Sequence, residues 1–243
     1  MLDPDNPGLG EDGQPLSSAD LIQRVKDIGG DTILLSFSGG KDSIAMWLYL
    51  REHFEVLPYF LYWVPGLSFV EEAMDYYEQF FDQEIVRMPH PLFYKMLREY
   101  AYQTPDRVAP LASAQLTDFD FADVDDVLAN EYELDLPFTA IGMRMKDNID
   151  RRNMIQQKGT LGTGRRRYYY AIWDWDVTQV SQIILNAGIK LSKEYKYWGR
   201  TLAAFDYQYL KPLQVHFPQD FARIQEWFPL IDLELFRYEK VGK

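Results

Sequence analysis

Along the first ninety residues, solid apolar runs alternate with stretches whose apolar positions recur every three or four residues. The run Thr32-Ile33-Leu34-Leu35-Ser36-Phe37 predicts a strand buried on both faces, as strands of parallel sheets are. The next stretch predicts a helix over 41–53, where Ile44, Ala45, Trp47, Leu48 and Tyr49 form the packing face. A second strand is predicted at 55–62, a helix at 68–81 after the Pro65-Gly66 turn, and a shorter strand at 84–88. Ahead of them, Ser17 or Ser18 caps a short helix that reaches Lys26 and stops at Gly29-Gly30. Strands and helices alternating through short connections wind right-handed into a parallel sheet.

The pattern loosens over 89–137, where a helix at 92–100 and an acidic one at 123–133 are predicted. A fourth strand at 138–143 leads into Arg144 and a helix over 147–157. A glycine-rich, basic turn follows at 159–167, and a helix at 178–186 ends at Gly188. The residues after 194 mix aromatics, prolines and short helical patterns, and no internal repeat is visible. The expected fold class is α/β, a doubly wound, mainly parallel sheet with a helical or irregular C-terminal extension. A flexible leader at 1–18, a main domain at 19–190 and an extension at 191–243 packed on it are the expected divisions.

Composition narrows the chemistry. The chain has 243 residues, enough for one large α/β domain with a substantial core. A formal net charge of -12 argues against a general basic surface for nucleic acid. With no cysteine, the chain can form no disulfide, thiolate metal site or iron–sulfur cluster, and it has no cysteine nucleophile. The leader lacks both a basic start and an apolar stretch, so it reads as neither signal peptide nor membrane span, and a cytoplasmic protein is expected.

One loop concentrates the candidate chemistry. Ser36-Phe37-Ser38-Gly39-Gly40-Lys41-Asp42-Ser43 joins the first buried strand to a helix. Such a junction gathers backbone N–H groups and the positive end of a helix dipole at one point, which makes an anion site. Adjacent glycines allow close approach of phosphate oxygens and permit positive φ. Ser38 and Ser43 add hydroxyls, Lys41 adds a compact cation, and Asp42 is placed to hold Mg²⁺ or a nucleotide hydroxyl. The spacing is neither that of the Walker loop nor that of the dinucleotide fingerprint.

The loop closely resembles the pyrophosphatase loop of the PP-loop ATP pyrophosphatase superfamily. Within it, the chain resembles the phosphoadenosine phosphosulfate reductase family, which includes sulfate adenylyltransferase small subunits and DNA phosphorothioation proteins. Two further stretches carry that likeness. Ile141-Gly142-Met143-Arg144, with Asp147-Asn148 and Arg151-Arg152, looks like the family's strand-end Gly-x-Arg, acidic pair and arginine. The segment from Ala171 to Val180, with Ile172 and Trp175, looks like its Pro-Ile-x-x-Trp-x-x-x-x-Val element. The resemblance runs from about Leu21 to Ile189 and marks 19–190 as a nucleotide-binding domain.

It implies an adenine nucleotide across the carboxyl ends of the strands, with ATP and Mg²⁺ as cofactors. Ser36, Ser38, Gly39, Gly40, Lys41, Asp42, Ser43, Gly142, Arg144 and Arg152 would bind the nucleotide. Lys41 and Asp42 would serve catalysis, and Asp42 the metal. The sequence departs from the family in two places. The reductases' C-terminal cysteine is missing, which excludes reduction by this chain alone, and Tyr62-Trp63-Val64-Pro65-Gly66 replaces their Asp-Thr-Gly stretch, keeping only the glycine and a possible stacking ring.

Other features have weaker claims. The aspartates at 118, 120, 123, 125 and 126 read as a solvated helix start rather than a metal site. The stretch around Arg165, Arg166 and Arg167 is either a local nucleic-acid contact or a surface hairpin with solvated charges. His53, His90 and His216 are scattered and lack ligand spacing. Two functional readings follow. One is an enzyme that adenylates a substrate with release of pyrophosphate, in a sulfur-transfer or nucleic-acid modification pathway, with a partner protein supplying sulfur or acceptor. The other is a non-catalytic module binding a nucleotide or sulfonucleotide within a complex. A homodimer is compatible with either.

Overall fold

The computed structural model describes residues 8–241. In chain order its elements are α1 (Ser18–Gly29), β1 (Thr32–Ser36), α2 (Lys41–Leu50), β2 (Glu55–Tyr62), α3 (Ser68–Phe81), β3 (Val86–Pro89), α4 (Pro91–Arg98), α5 (Pro105–Ser113) and α6 (Phe121–Glu131). There follow β4 (Phe138–Ile141), α7 (Ile149–Lys158), β5 (Leu161–Thr163), β6 (Arg167–Tyr169), α8 (Val177–Ala187), α9 (Glu194–Trp198), α10 (Tyr207–His216), α11 (Pro218–Trp227) and α12 (Asp232–Val241). The strands make one six-stranded sheet in the order β3-β2-β1-β4-β6-β5. Strand β1 is parallel to both β2 and β4, β4 is parallel to β6, and the hairpin pair β5–β6 is antiparallel. The fold is therefore α/β with a mainly parallel sheet and flanking helices, the class the sequence predicts. No described helix is long and apolar enough to cross a membrane.

The chain gathers into two compact units. The first takes in the described residues up to Phe60, Glu84–Val86 and Asp120–Lys190. The second comprises Leu61–Gln83, Arg87–Phe119 and the described residues from Leu191.

In the first unit β1 is the buried spine. Ile33, Leu34 and Leu35 are fully shielded, because a strand flanked on both edges and covered on both faces has no polar side to show. Helix α1 begins where the Ser17 side chain accepts from Asp20 N and ends where Gly30, at φ 80, returns its N–H to Lys26 O. Part of the expected leader, 1–7, lies outside the described residues. Over 8–17 the chain forms a small turn with a Leu9–Pro15 bridge, held by Thr160 Oγ1 donating to Gly8 O and Trp173 Nε1 donating to Leu16 O.

The second unit is mainly helical and rich in ring contacts. Phe93 meets Trp227 and Phe228 at ring separations of 5.1 and 6.0 Å. The first turn of α3 is closed by a distant carboxylate: Asp220 accepts from Ser68 N and Ser68 Oγ at 2.6 and 2.7 Å. That satisfies a helix-start donor and aligns a negative charge with the dipole.

Glu194 is buried in this unit at 4% exposure, accepting from Leu202 N at 2.6 Å and Ser192 Oγ at 3.0 Å. Burial raises its pKa to about 7, and the two hydrogen bonds offset that only in part. Because the folded state holds this proton more tightly than the unfolded chain, the stability it contributes is complete below the usual glutamate pKa of about 4.3. That contribution is lost as pH rises through about 7. The isosteric Glu194→Gln is therefore expected to be more stable than the parent by about 3 kcal/mol at pH 8 and to converge with it near pH 4. Paired urea titrations at the two pH values check this, and a constant difference would contradict it.

Candidate functional site

The strand order reverses between β1 and β4, so the segments leaving these neighbours run toward opposite edges of the sheet. Ligands of open α/β sheets bind at the carboxyl ends of the strands on such a reversal. Ser36 ends β1, in register with Tyr59 of β2 and Ile141 of β4. The loop 37–40 and the segment 142–148 therefore leave the sheet side by side.

The loop is closed by its own hydroxyls. Ser43 Oγ donates to Gly40 O at 2.9 Å and accepts from Ser38 N at 3.2 Å, while Ser38 Oγ lies 3.1 Å from Ser43 Oγ and accepts from Gly40 N. Ser43 is 3% exposed, so its hydroxyl shapes the loop, whereas the sequence reading makes it a phosphate donor. Gly39 sits at φ 67, where a side chain would be strained. Gly40 is the N-cap of α2 and offers no side chain to the helix's first N–H groups.

The charged residues form a chain across this opening. Lys41 Nζ donates to Asp42 Oδ2 at 2.6 Å, and Arg144 Nε lies 2.8 Å from Asp42 Oδ1. The Arg144 contact is an ion pair without hydrogen-bond geometry, leaving both atoms buried and without hydrogen bonds. Arg144 also binds Asp147 Oδ1, whose other oxygen pairs with Arg151. Three cations against two carboxylates leave one net positive charge beside the start of α2. Arg144 is 4% exposed, so its guanidinium is buried among these carboxylates.

Not every expected residue joins this group. A Cβ on Gly142 would come within 3.3 Å of Ser43 N and 3.4 Å of the Asp42 carbonyl carbon, so this glycine lets the exit of β4 pass close to α2. Arg152 is exposed on α7. Asp147 and Arg151, quoted in the sequence for the family likeness but not among the expected nucleotide-binding residues, belong to the charge chain. Their spacing of three and four residues from one charge to the next is the signal that marks them.

The same unit holds a second polar cluster. Asp125 of α6 accepts from Tyr59 Oη at 3.0 Å, Thr139 Oγ1 at 2.8 Å and Arg166 Nε at 2.7 Å. Arg166 also donates to Tyr59 Oη. Burial, helped by the Asp125 charge, raises the Tyr59 pKa, against the opposing pull of Arg166 and a hydrogen bond from Ser36. Tyr59 therefore stays a neutral donor, on the β2 position in register with Ser36.

The neighbouring arginines find partners of their own within the chain. Arg165 pairs with Asp120 and Asp123, Arg166 with Asp125, and Arg167 donates to Leu136 O and Ile28 O while covering the Phe138 ring at 4.0 Å. All three guanidiniums are engaged within the chain, and the β5–β6 hairpin that carries them is tied to the start of α6 and the residues before β4. Asp120 also caps α6 through a capping box, as a helix-start reading of the acidic run requires, and the described residues contain no metal-ligating group of three. In the second unit, Trp63 stacks on His90 at 4.9 Å.

No protein-family model and no curated protein matches the chain. Solved structures similar to it include the U34-tRNA thiolase NcsA from Methanococcus maripaludis with its 4Fe-4S cluster, at 11% identity and TM-score 0.44, covering 91% of this chain and 82% of that one. Another is the FMN adenylyltransferase of Candida glabrata in complex with FMN and the ATP analog AMPCPP, at 10% identity and TM-score 0.47, covering 74% and 57%. A third is the NH3-dependent NAD synthetase of Campylobacter jejuni subsp. jejuni in complex with the nitrate ion, at 12% identity and TM-score 0.44, covering 93% of each chain.

Proposed function

We propose that the chain binds ATP at the loop 36–43 and uses it to adenylate an acceptor, with release of pyrophosphate. The observation that carries this reading is the chain of charges from Lys41 through Asp42 to the buried Arg144, set beside a helix start with no side-chain cap at a reversal of strand order. Amides, a dipole and surplus positive charge together suit a polyphosphate. The resemblance of the loop to PP-loop pyrophosphatases supports an adenine nucleotide as its owner.

The residues present fit a magnesium ion. Mg²⁺ is commonly held by one or two carboxylates with phosphate oxygens and water completing the shell, and Asp42 offers a carboxylate oxygen that makes no hydrogen bond. When bound, the ion would offset charge on the phosphates. Lys41, Arg144 and the first N–H groups of α2 would hold the phosphates and stabilise negative charge as it moves onto the leaving group. An acceptor oxygen attacks the α-phosphorus and the bond to the β-phosphate bridging oxygen breaks. The electron pair leaves with pyrophosphate, and any proton on the acceptor oxygen goes to solvent. No side chain is asked to form a covalent bond.

The second reading is a nucleotide-binding module without turnover, favoured by the absence of cysteine and by the altered stretch after β2. Retention of both Lys41 and Asp42 favours the enzyme. Pyrophosphate release with ATP, Mg²⁺ and a panel of carboxylate, amide-oxygen and nucleobase acceptors separates the two. Release that falls about a hundredfold in Lys41→Met is the expected result. Binding of ATP with no release against any acceptor would leave the module reading.

A further inference from the structure

We propose that Asp42 is an internal competitor of the nucleotide phosphates and thereby makes the site specific for metal-loaded over metal-free nucleotide. This rests on the reading of the loop as an ATP site. The carboxylate of Asp42 stands in the first turn of α2, where an anion is favoured by the dipole. It engages both cations that the phosphates would need, Lys41 through one oxygen and Arg144 through the other. Arg144, 4% exposed, keeps Nε without a hydrogen bond and also pairs with Asp147. The contact to Asp42 is thus electrostatic and poorly oriented, which suits a pairing that is exchanged when a ligand enters.

A metal-free polyphosphate meets this carboxylate as a like charge at close range. To reach Lys41 and Arg144 it must displace Asp42, which then has no cation left. A metal-loaded polyphosphate presents Asp42 with a new cation, so Asp42 can release Lys41 and Arg144 without being left unpaired. The same side chain therefore opposes one form of the ligand and favours the other. Asp42 is a specificity-determining residue as well as a ligand.

The test is isothermal titration of ATP in EDTA and in Mg²⁺ with the full chain, comparing the parent protein with Asp42→Asn. The parent is expected to bind ATP at least about tenfold more tightly with Mg²⁺ than in EDTA. Asp42→Asn is expected to bind ATP in EDTA about tenfold more tightly than the parent, and to change by less than about threefold on adding Mg²⁺. Metal-free affinity in Asp42→Asn that is equal to or weaker than the parent's overturns the proposal while leaving the nucleotide reading intact. A parent protein that binds ATP in neither condition overturns the nucleotide reading itself, and the proposal with it. Thermal melts confirm folding. Should the asparagine variant not fold, Asp42→Ala, titrated with ATP and with inorganic pyrophosphate in EDTA, reads the same quantity with the same two outcomes.

Discussion

Gly40→Val is expected to reduce ATP affinity by about a hundredfold or more while shifting the melting temperature by only a few degrees. Gly40 sits at φ -79 and ψ 155, in the extended region that valine itself prefers, so the backbone pays no strain for the change. The added methyl groups would stand at the mouth of α2, between the first N–H groups and any phosphate. Gly39 is the contrasting case: at φ 67 a valine would strain the loop, so loss of binding there could not be told from loss of fold. Titration calorimetry beside a thermal melt checks the prediction. Unchanged affinity in Gly40→Val would mean that the ligand does not meet this loop.

The second large effect is on stability. Asp125→Ala removes the acceptor shared by Tyr59, Thr139 and Arg166, all within 3.0 Å. Deleting one member of a buried charged pair leaves the other uncompensated, at a cost of about 3–5 kcal/mol. Thr139, fully buried, loses its partner as well. Urea unfolding is expected to show a loss of that order, and ATP affinity is expected to fall with it, since Tyr59 lies in register with Ser36 at the end of β1. A change under about 1 kcal/mol would show that the cluster tolerates a missing carboxylate and does not brace the sheet.

These two predictions draw on different kinds of sequence signal. The loop was legible because its chemistry is local: strand β1 reads from a run of buried aliphatics, and the residues of the turn are contiguous. Likewise β2 at Glu55–Tyr62 and α3 at Ser68–Phe81 fall on the predicted bounds, because Pro65-Gly66 punctuates between them. Strand β4 ends at Ile141 instead of Met143, and α7 starts at Ile149 instead of 147, since Asn148 takes the cap position and Arg144 and Asp147 turn to pair with each other. Helix α5 was not anticipated, having prolines at both 105 and 110 and no buried residue to set a period.

Asp125 was hidden in plain view among five neighbouring aspartates. Its helical spacing from Ala122 and Leu128 puts it on the buried face, but only the distant Arg166 and Tyr59 make burial of that charge tolerable. The role of the three arginines was illegible for the same reason, since each finds its partners at least thirty residues away. The contacts of Arg144 with Asp42 are likewise set by the pairing of β1 with β4, which brings together positions about a hundred residues apart.

The most direct test of the account is calorimetric titration of the purified chain with ATP in the presence of Mg²⁺, set against AMP under the same conditions. Saturable binding of ATP at one site per chain is expected, with weaker binding of AMP because it lacks the β- and γ-phosphates, and with affinity for ATP lower by about a hundredfold or more in Gly40→Val. Absence of ATP binding by a chain that melts as a folded protein would contradict the assignment of the loop as a nucleotide site.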